Sequence, residues 1–199
     1  GGVQDFSSYL GAWVTPNCPA VHTVLRSAVE HLPGRELMSY QVDEPGVEAQ
    51  VEAIYKALQQ VGMAYVNSAT AVSTTPEFTL QRVRLPRESL KRHAANCLDG
   101  TVLMASLLEA ASLRSALVLV PGHAVLGWQP TAEGDCWDYV DPSVLGTKPF
   151  AEARALGRLV VDQYADQQAL YGSQAAAGVW FFKRLPVAAL RQQLILPME

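Results

Sequence analysis

The stretch from Asn96 to Leu113 constrains the fold more than any other part of the chain. Apolar residues recur through it at helical spacing, which predicts a helix buried in a core. Asn96 suits the N-cap, and Asp99 falls at the third helical position, as in a capping box with Asp in place of Glu. We therefore expect Cys97 to lie in the first turn of this helix.

Cys97 is a candidate nucleophile because of that position. The free backbone N–H groups and the dipole at a helix N-terminus favour a thiolate. A free cysteine is also often a small buried hydrophobic residue, so helix position alone leaves both interpretations open. The three cysteines, Cys18, Cys97 and Cys136, include no CxxC pair. This pattern disfavours a disulfide framework and a cysteine zinc site, and it favours a reducing cytoplasm.

The composition indicates a globular protein. Hydrophobic residues make up 49% of the chain and charged residues 17%. Fifteen Lys and Arg against nineteen Asp and Glu give no basic excess for nucleic-acid binding, and no apolar run approaches the ~20 residues of a membrane span. We expect one domain over residues 1–199, without a cofactor. Since the first residue is Gly1 and not Met, we expect this domain to be part of a longer protein.

An antiparallel sheet is predicted directly after the cysteine helix. Residues 115–120 form a continuous apolar run, and two further strands are expected at residues 123–128 and 136–140. We expect these strands to form a meander packed against the cysteine helix. Other elements are predicted at residues 17–31, 46–61, 86–95 and 150–170 (helices) and 64–66, 81–85 and 179–182 (strands). The predicted class is α+β.

A base and a carboxylate follow Cys97 in positions that suit thiol catalysis. His123 opens a predicted strand after the turn Pro121-Gly122, and Asp141 ends the next strand. Adjacent strands would place the two side by side, as a nucleophile's base and its orienting group require. Asp138 competes with Asp141 for this role, but the two point to opposite faces of a regular strand.

These residues carry a resemblance to the transglutaminase-like cysteine enzymes. The matching segments are Asn96-Cys97-Leu98-Asp99-Gly100, Pro121-Gly122-His123-Ala124 and Trp137-Asp138-Tyr139-Val140-Asp141-Pro142-Ser143. They span about residues 85–145. The resemblance implies a papain-like core with Cys97 as nucleophile, His123 as base and Asp141 as orienting carboxylate. The calcium-binding apparatus and extra β domains of animal transglutaminases have no counterpart in this sequence.

Further residues are candidates for stabilising or binding a substrate. The backbone N–H of Cys97 is expected to be one oxyanion donor, and the candidates for a second are Asn67, Gln41 and Asn96. Asn96 already serves as the helix cap. Candidate substrate contacts are Arg82 and Arg84, which would clamp a carboxylate, with Trp128 and Trp137. A metal site made by the three triad residues lacks a fourth ligand, and we expect none.

The leading hypothesis is a cysteine peptidase or amidase that hydrolyses a protein or peptide substrate through an acyl-enzyme. Hydrolysis is favoured over crosslinking because it needs no second site for an amine. The first alternative is a transglutaminase-type acyl transfer to a lysine amine. The second is a non-catalytic interaction module in which the triad residues serve core packing. Further domains of a longer chain or an activating partner are also expected.

Overall fold

The computed structural model describes residues 5–66, 83–172 and 182–199. Within these ranges the α-helices are α1 (Pro19–Ala28), α2 (Glu44–Gln60), α3 (Pro86–Arg92), α4 (Cys97–Ala110), α5 (Phe150–Tyr171) and α6 (Val187–Gln192). The strands are β1 (Ala64–Tyr65), β2 (Ala94–Ala95), β3 (Ser115–Val120), β4 (His123–Trp128), β5 (Asp138–Val140) and β6 (Lys183–Pro186). Short 3-10 helices lie at Ser7–Trp13, Val29–His31 and Pro142–Val144. None of the helices in these ranges has the length and apolar composition needed to cross a membrane.

The main sheet is an antiparallel meander with strand order β5-β4-β3-β6. β3 and β4 form a tight hairpin in which Val120 pairs with His123, and the turn between them places Gly122 at a φ of 74°, a conformation that glycine adopts without strain. The predicted α+β class and antiparallel sheet are confirmed. Most of the strand predicted at 179–182 lies outside the described residues, and β6 begins at Lys183.

Helix α4 lies in the centre of the core, as its apolar sequence predicts. Every residue from Asp99 to Leu108 is buried. On one side α4 packs against the sheet face formed by alternate residues of β3 and β4, namely Leu117, Leu119, Ala124, Leu126 and Trp128. On its other sides it contacts α1, α2 and α3. A helix surrounded in this way needs apolar residues on all sides, so the position of Cys97 at its first turn is fixed by extensive packing.

The opposite face of the sheet is covered by α5. Val161 of this helix packs against strand residues whose side chains point away from α4, namely Ala116, Val118, Val125 and Tyr139. Gly157 allows the close approach, because a Cβ there would lie 2.8 Å from the backbone N, Cα and C of Val140. Glycine weakens an isolated helix, and here its lack of a side chain lets α5 contact β5 directly.

Two predicted elements differ from the structure. The helix predicted over residues 86–95 ends at Arg92, because His93 adopts the left-handed conformation (φ 51°) and residues 94–95 form β2. Of the strand predicted over 81–85, residues 83–85 are described and form no strand. Their polar groups instead bind the start of α4, since the backbone N–H of Arg84 donates to the Asp99 carboxylate.

Candidate active site

Cys97 is the first residue of α4, and its position is set by the residues around it. The side chain of Asn96 caps the helix by accepting a hydrogen bond from the backbone N–H of Asp99 at 2.7 Å. The hydroxyl of Thr101 donates to the carbonyl of Cys97 at 2.8 Å. Asn96 and Asp99 are buried, whereas Cys97 is only partly buried. The predicted cap is confirmed, and the thiol lies at the edge of the core.

Asp99 anchors this end of the helix from inside the protein. Its side chain is fully buried and accepts from the Arg84 backbone at 2.8 Å and from the Arg84 guanidinium at 3.2 Å. Burial raises the pKa of Asp99, against the lowering effect of the hydrogen bonds and charge of Arg84. The structure thus gives Arg84 a role that the sequence did not predict, the pairing of its charge with a buried carboxylate.

His123 and Asp141 meet at the end of the neighbouring strands. His123 begins β4, and Asp141 directly follows β5, the antiparallel neighbour of β4. Nε2 of His123 lies 2.9 Å from Oδ2 of Asp141. The other carboxylate oxygen accepts from the backbone N–H of Ser143 at 2.9 Å. Since a carboxylate only accepts, Nε2 carries the proton of this bond and Nδ1 is left for another partner.

Asp138, the competing carboxylate, is bound by α5 and not by His123. It is buried, and it pairs with Arg154 at 2.7 Å and with Arg158 at 2.6 Å, both from α5. These charges outweigh burial and hold the pKa of Asp138 below its ordinary value. Asp138 therefore joins α5 to the sheet, and the structure places Asp141 at His123.

The His123 ring joins Asp141 to Cys97. Burial on its own lowers the pKa of His123, but hydrogen bonds to Asp141 and to the Cys97 side chain, with the charges of both, raise it to about 10. Burial on its own likewise raises the pKa of Asp141, but the bond and charge of His123 hold it below its ordinary value. The raised pKa favours an imidazolium on His123 at neutral pH.

We expect His123 to stay protonated at pH 8 and to lose its proton only as the pH approaches about 10. Because this pKa lies above the ordinary value of 6.5, the imidazolium stabilises the fold fully below pH 6.5, and that contribution is lost as the pH rises through the folded-state pKa. Asp141→Asn should lower the pKa of His123 by removing its charged partner. NMR titration of the His123 ring measures this directly. Asp135→Asn, at an exposed carboxylate, is the matched control, and an equal shift there would contradict the assignment.

A close contact between α4 and the segment after Asp141 brings the two halves of the site together. A Cβ on Gly100 would lie 2.9 Å from Cβ of Pro142, the residue next to Asp141. The first turn of α4 therefore touches the 3-10 helix Pro142–Val144 without an intervening side chain. The contact fixes the position of Asp141 relative to Cys97.

Tyr65 is the residue at this site that the sequence analysis missed. β1 pairs in parallel with β2, so that Tyr65 lies opposite Ala95, two residues before Cys97. Burial, then the charges of Cys97 and Asp141, raise the pKa of Tyr65, which places its hydroxyl within electrostatic range of both. A strand at 64–66 was predicted from the sequence, but its parallel partner was not, since parallel pairing joins distant residues without a local signal.

The two tryptophans proposed as substrate contacts lie elsewhere. Trp128 is 1% exposed and packs against Phe150 in the core, so the prediction that it contacts a substrate is wrong. Trp137 packs over Gly127 and against the Arg184 guanidinium on the α5 side of the sheet, opposite α4. Its contact with a substrate stays a prediction.

The predicted second oxyanion donors are not supported where the structure describes them. Gln41 follows Ser39 and Tyr40, which bind Ser112 and Arg114 beyond the C-terminal end of α4. The 14 residues of α4 separate that end from Cys97 by roughly 20 Å, so Gln41 cannot serve the site. The side-chain oxygen of Asn96 is engaged as the helix cap. Asn67 and Arg82 lie outside the described residues.

Comparison with known proteins gave no match. No family model matches the chain, and no curated protein or solved structure matches it. Among the described residues no group of three or more His, Cys, Asp or Glu is arranged to hold a metal ion.

Proposed function

We propose that the chain is a cysteine hydrolase with a papain-like core, related to the transglutaminase-like enzymes, that cleaves an amide bond of a protein or peptide. The observation that carries this proposal is the hydrogen bond between His123 and Asp141 beside Cys97, the first residue of α4, with Cys97 among the groups that raise the pKa of His123. A nucleophile at a helix N-terminus, with a base oriented by a carboxylate, is the set of groups that acyl transfer requires.

Each residue has one role in the proposed reaction. The Cys97 sulfur attacks the carbonyl carbon, and the electron pair of the C=O bond moves to oxygen. When the tetrahedral intermediate collapses, His123 donates its proton to the leaving amine, and a thioester remains on Cys97. His123, held in the required tautomer by Asp141, then takes a proton from water, which attacks the thioester and releases a carboxylic acid and the thiolate.

The compartment we propose is the cytoplasm. Cys18, Cys97 and Cys136 are all free in the structure. A reducing compartment keeps a partly exposed, activated thiol from oxidation. We further propose a protein or peptide substrate and additional domains or a partner that present it, since Cys97 is only partly buried and a peptide segment can reach it.

We expect the acyl-enzyme to react mainly with water. The test incubates the chain with a proteome-derived peptide mixture in H₂¹⁸O, with and without millimolar methylamine, and identifies the products by mass spectrometry. New carboxyl groups carrying ¹⁸O should predominate in both samples and should be absent with Cys97→Ala. A predominance of methylamine adducts would instead indicate transglutaminase-type transfer. If neither product depends on Cys97, the proposed activity is contradicted.

A further inference from the structure

Acyl transfer at Cys97 requires stabilisation of the negative oxygen that forms on the substrate. The Cys97 backbone N–H at the helix start supplies one donor. Papain-like chemistry works best when a second, fixed donor faces the same oxygen, because charge develops there in the transition state. Gln41 lies at the far end of α4 and Asn96 is only 5% exposed, so we expect a second donor that a substrate can reach on another residue.

Two contacts hold β1 between the segments that carry Cys97 and Asp141. On one side, Val66 donates its backbone N–H to the carbonyl of Ala95 at 3.0 Å, two residues before Cys97. On the other, a Cβ on Gly146 would lie 2.8 Å from the carbonyl oxygen of Met63, so the loop after Asp141 lies directly against β1. Tyr65 is therefore carried by a strand that touches both halves of the site.

The Tyr65 hydroxyl is free to act on a substrate. Among the described residues it has no hydrogen-bond partner, whereas the hydroxyls of Tyr40, Tyr55 and Tyr139 all form structural hydrogen bonds. Tyr65 is 41% exposed, so a ligand can reach it. Burial and the nearby negative groups raise its pKa, which keeps the phenol protonated, and hence a donor, at neutral pH.

We propose that Tyr65 is the second oxyanion donor of this site, its O–H acting with the Cys97 backbone N–H on the acyl oxygen. This inference rests on the proposed acyl-transfer function. As the Cys97 sulfur bonds to the carbonyl carbon, the C=O electron pair moves to oxygen and the Tyr65 hydroxyl donates to it. The hydroxyl keeps its proton throughout. When the C=O bond re-forms, the leaving group departs with its electron pair and the hydrogen bond weakens again.

Two reagents that attack the same sulfur separate this role from a structural one. p-Nitrophenyl acetate acylates Cys97 through a tetrahedral oxyanion and releases p-nitrophenolate, which is measured by absorbance. Iodoacetamide alkylates the sulfur by displacing iodide and forms no oxyanion. Tyr65→Phe removes only the hydroxyl. We expect it to slow acylation about 100-fold, the effect of losing one such donor, while the rate of Cys97 alkylation and the melting temperature stay unchanged.

The control is Tyr9→Phe, which removes the hydroxyl of an exposed tyrosine in the 3-10 helix Ser7–Trp13 and should leave both rates unchanged. Equal acylation of Tyr65→Phe and the unmodified chain would overturn the inference while the proposed function stands. An equal loss of both rates would also overturn it, by assigning Tyr65 to the thiolate or to the fold. If the unmodified chain is alkylated but never acylated at Cys97, the proposed function fails and this inference fails with it.

Discussion

Replacing Cys97 with alanine should abolish acyl-enzyme formation and leave the fold intact. The loss should be on the order of 10⁶-fold, as for removal of the nucleophile in a triad enzyme. The free energy of unfolding should change by less than about 1 kcal/mol, because the variant deletes one partly exposed sulfur atom next to a helix cap that Asn96 maintains. Intact-mass spectrometry after reaction with p-nitrophenyl acetate measures the first effect, and urea unfolding measures the second.

The other two cysteines supply the controls for this prediction. Cys136→Ala removes an exposed thiol and Cys18→Ala a buried one, and neither should prevent acylation. Iodoacetamide should label Cys97 before either of them at neutral pH, since only Cys97 combines a helix N-terminus with a neighbouring imidazole. Acetyl groups found on Cys136 at the same rate as on Cys97 would show that Cys97 is not specially activated.

Replacing Asp141 with asparagine should lower the rate of acyl transfer about 10⁴-fold, as for the orienting carboxylate of other triads. An amide can donate to Nε2 of His123, and the ring would then carry its proton on Nδ1, where it cannot act as a base toward Cys97. Asparagine preserves the shape of the side chain and an oxygen that can accept from Ser143. The measurement is kcat/KM on a cleavable substrate, with the fold checked by circular dichroism.

Asp138→Asn is the matched control because the two carboxylates belong to the same short segment and bind different partners. It removes the buried counter-ion of Arg154 and Arg158, and because both arginines are partly exposed the loss should be smaller than the about 3–5 kcal/mol of a fully buried pair. We therefore expect Asp138→Asn to lower stability while activity, assayed well below the melting temperature, is largely kept. A larger loss of activity in Asp138→Asn than in Asp141→Asn would reverse the assignment of the orienting carboxylate.

Sequence reasoning predicted those parts of the fold that are determined by patterns of neighbouring residues. Helix α4 is apolar on all sides and begins with a residue suited to capping, so its position and its burial both follow from the sequence. The meeting of His123 with Asp141 follows because consecutive strands joined by short turns pair in antiparallel fashion.

The errors arise where position depends on distant contacts. β3 and β4 are covered on both faces, by α4 and by α5. Neither strand therefore has the alternation of polar and apolar residues that would show from the sequence that Trp128 is buried. Gln41 follows an irregular segment fixed by Gln50, whose side-chain oxygen accepts the backbone N–H groups of Met38 and Ser39 at 2.8 Å each. No periodicity in the sequence reveals such a contact.

The contact between Gly100 and Pro142 also limits how this site can change. Gly100 does not adopt the positive φ that only glycine tolerates well, so its backbone would accept any residue except proline, which lacks the N–H that donates to the Asn96 carbonyl. Its restriction is one of space, because even an alanine Cβ would meet the rigid ring of Pro142 at 2.9 Å. Relief of that overlap would move Asp141 away from the helix that carries Cys97. The absence of a side chain at position 100 therefore sets how closely the helix that carries Cys97 approaches the segment that carries Asp141.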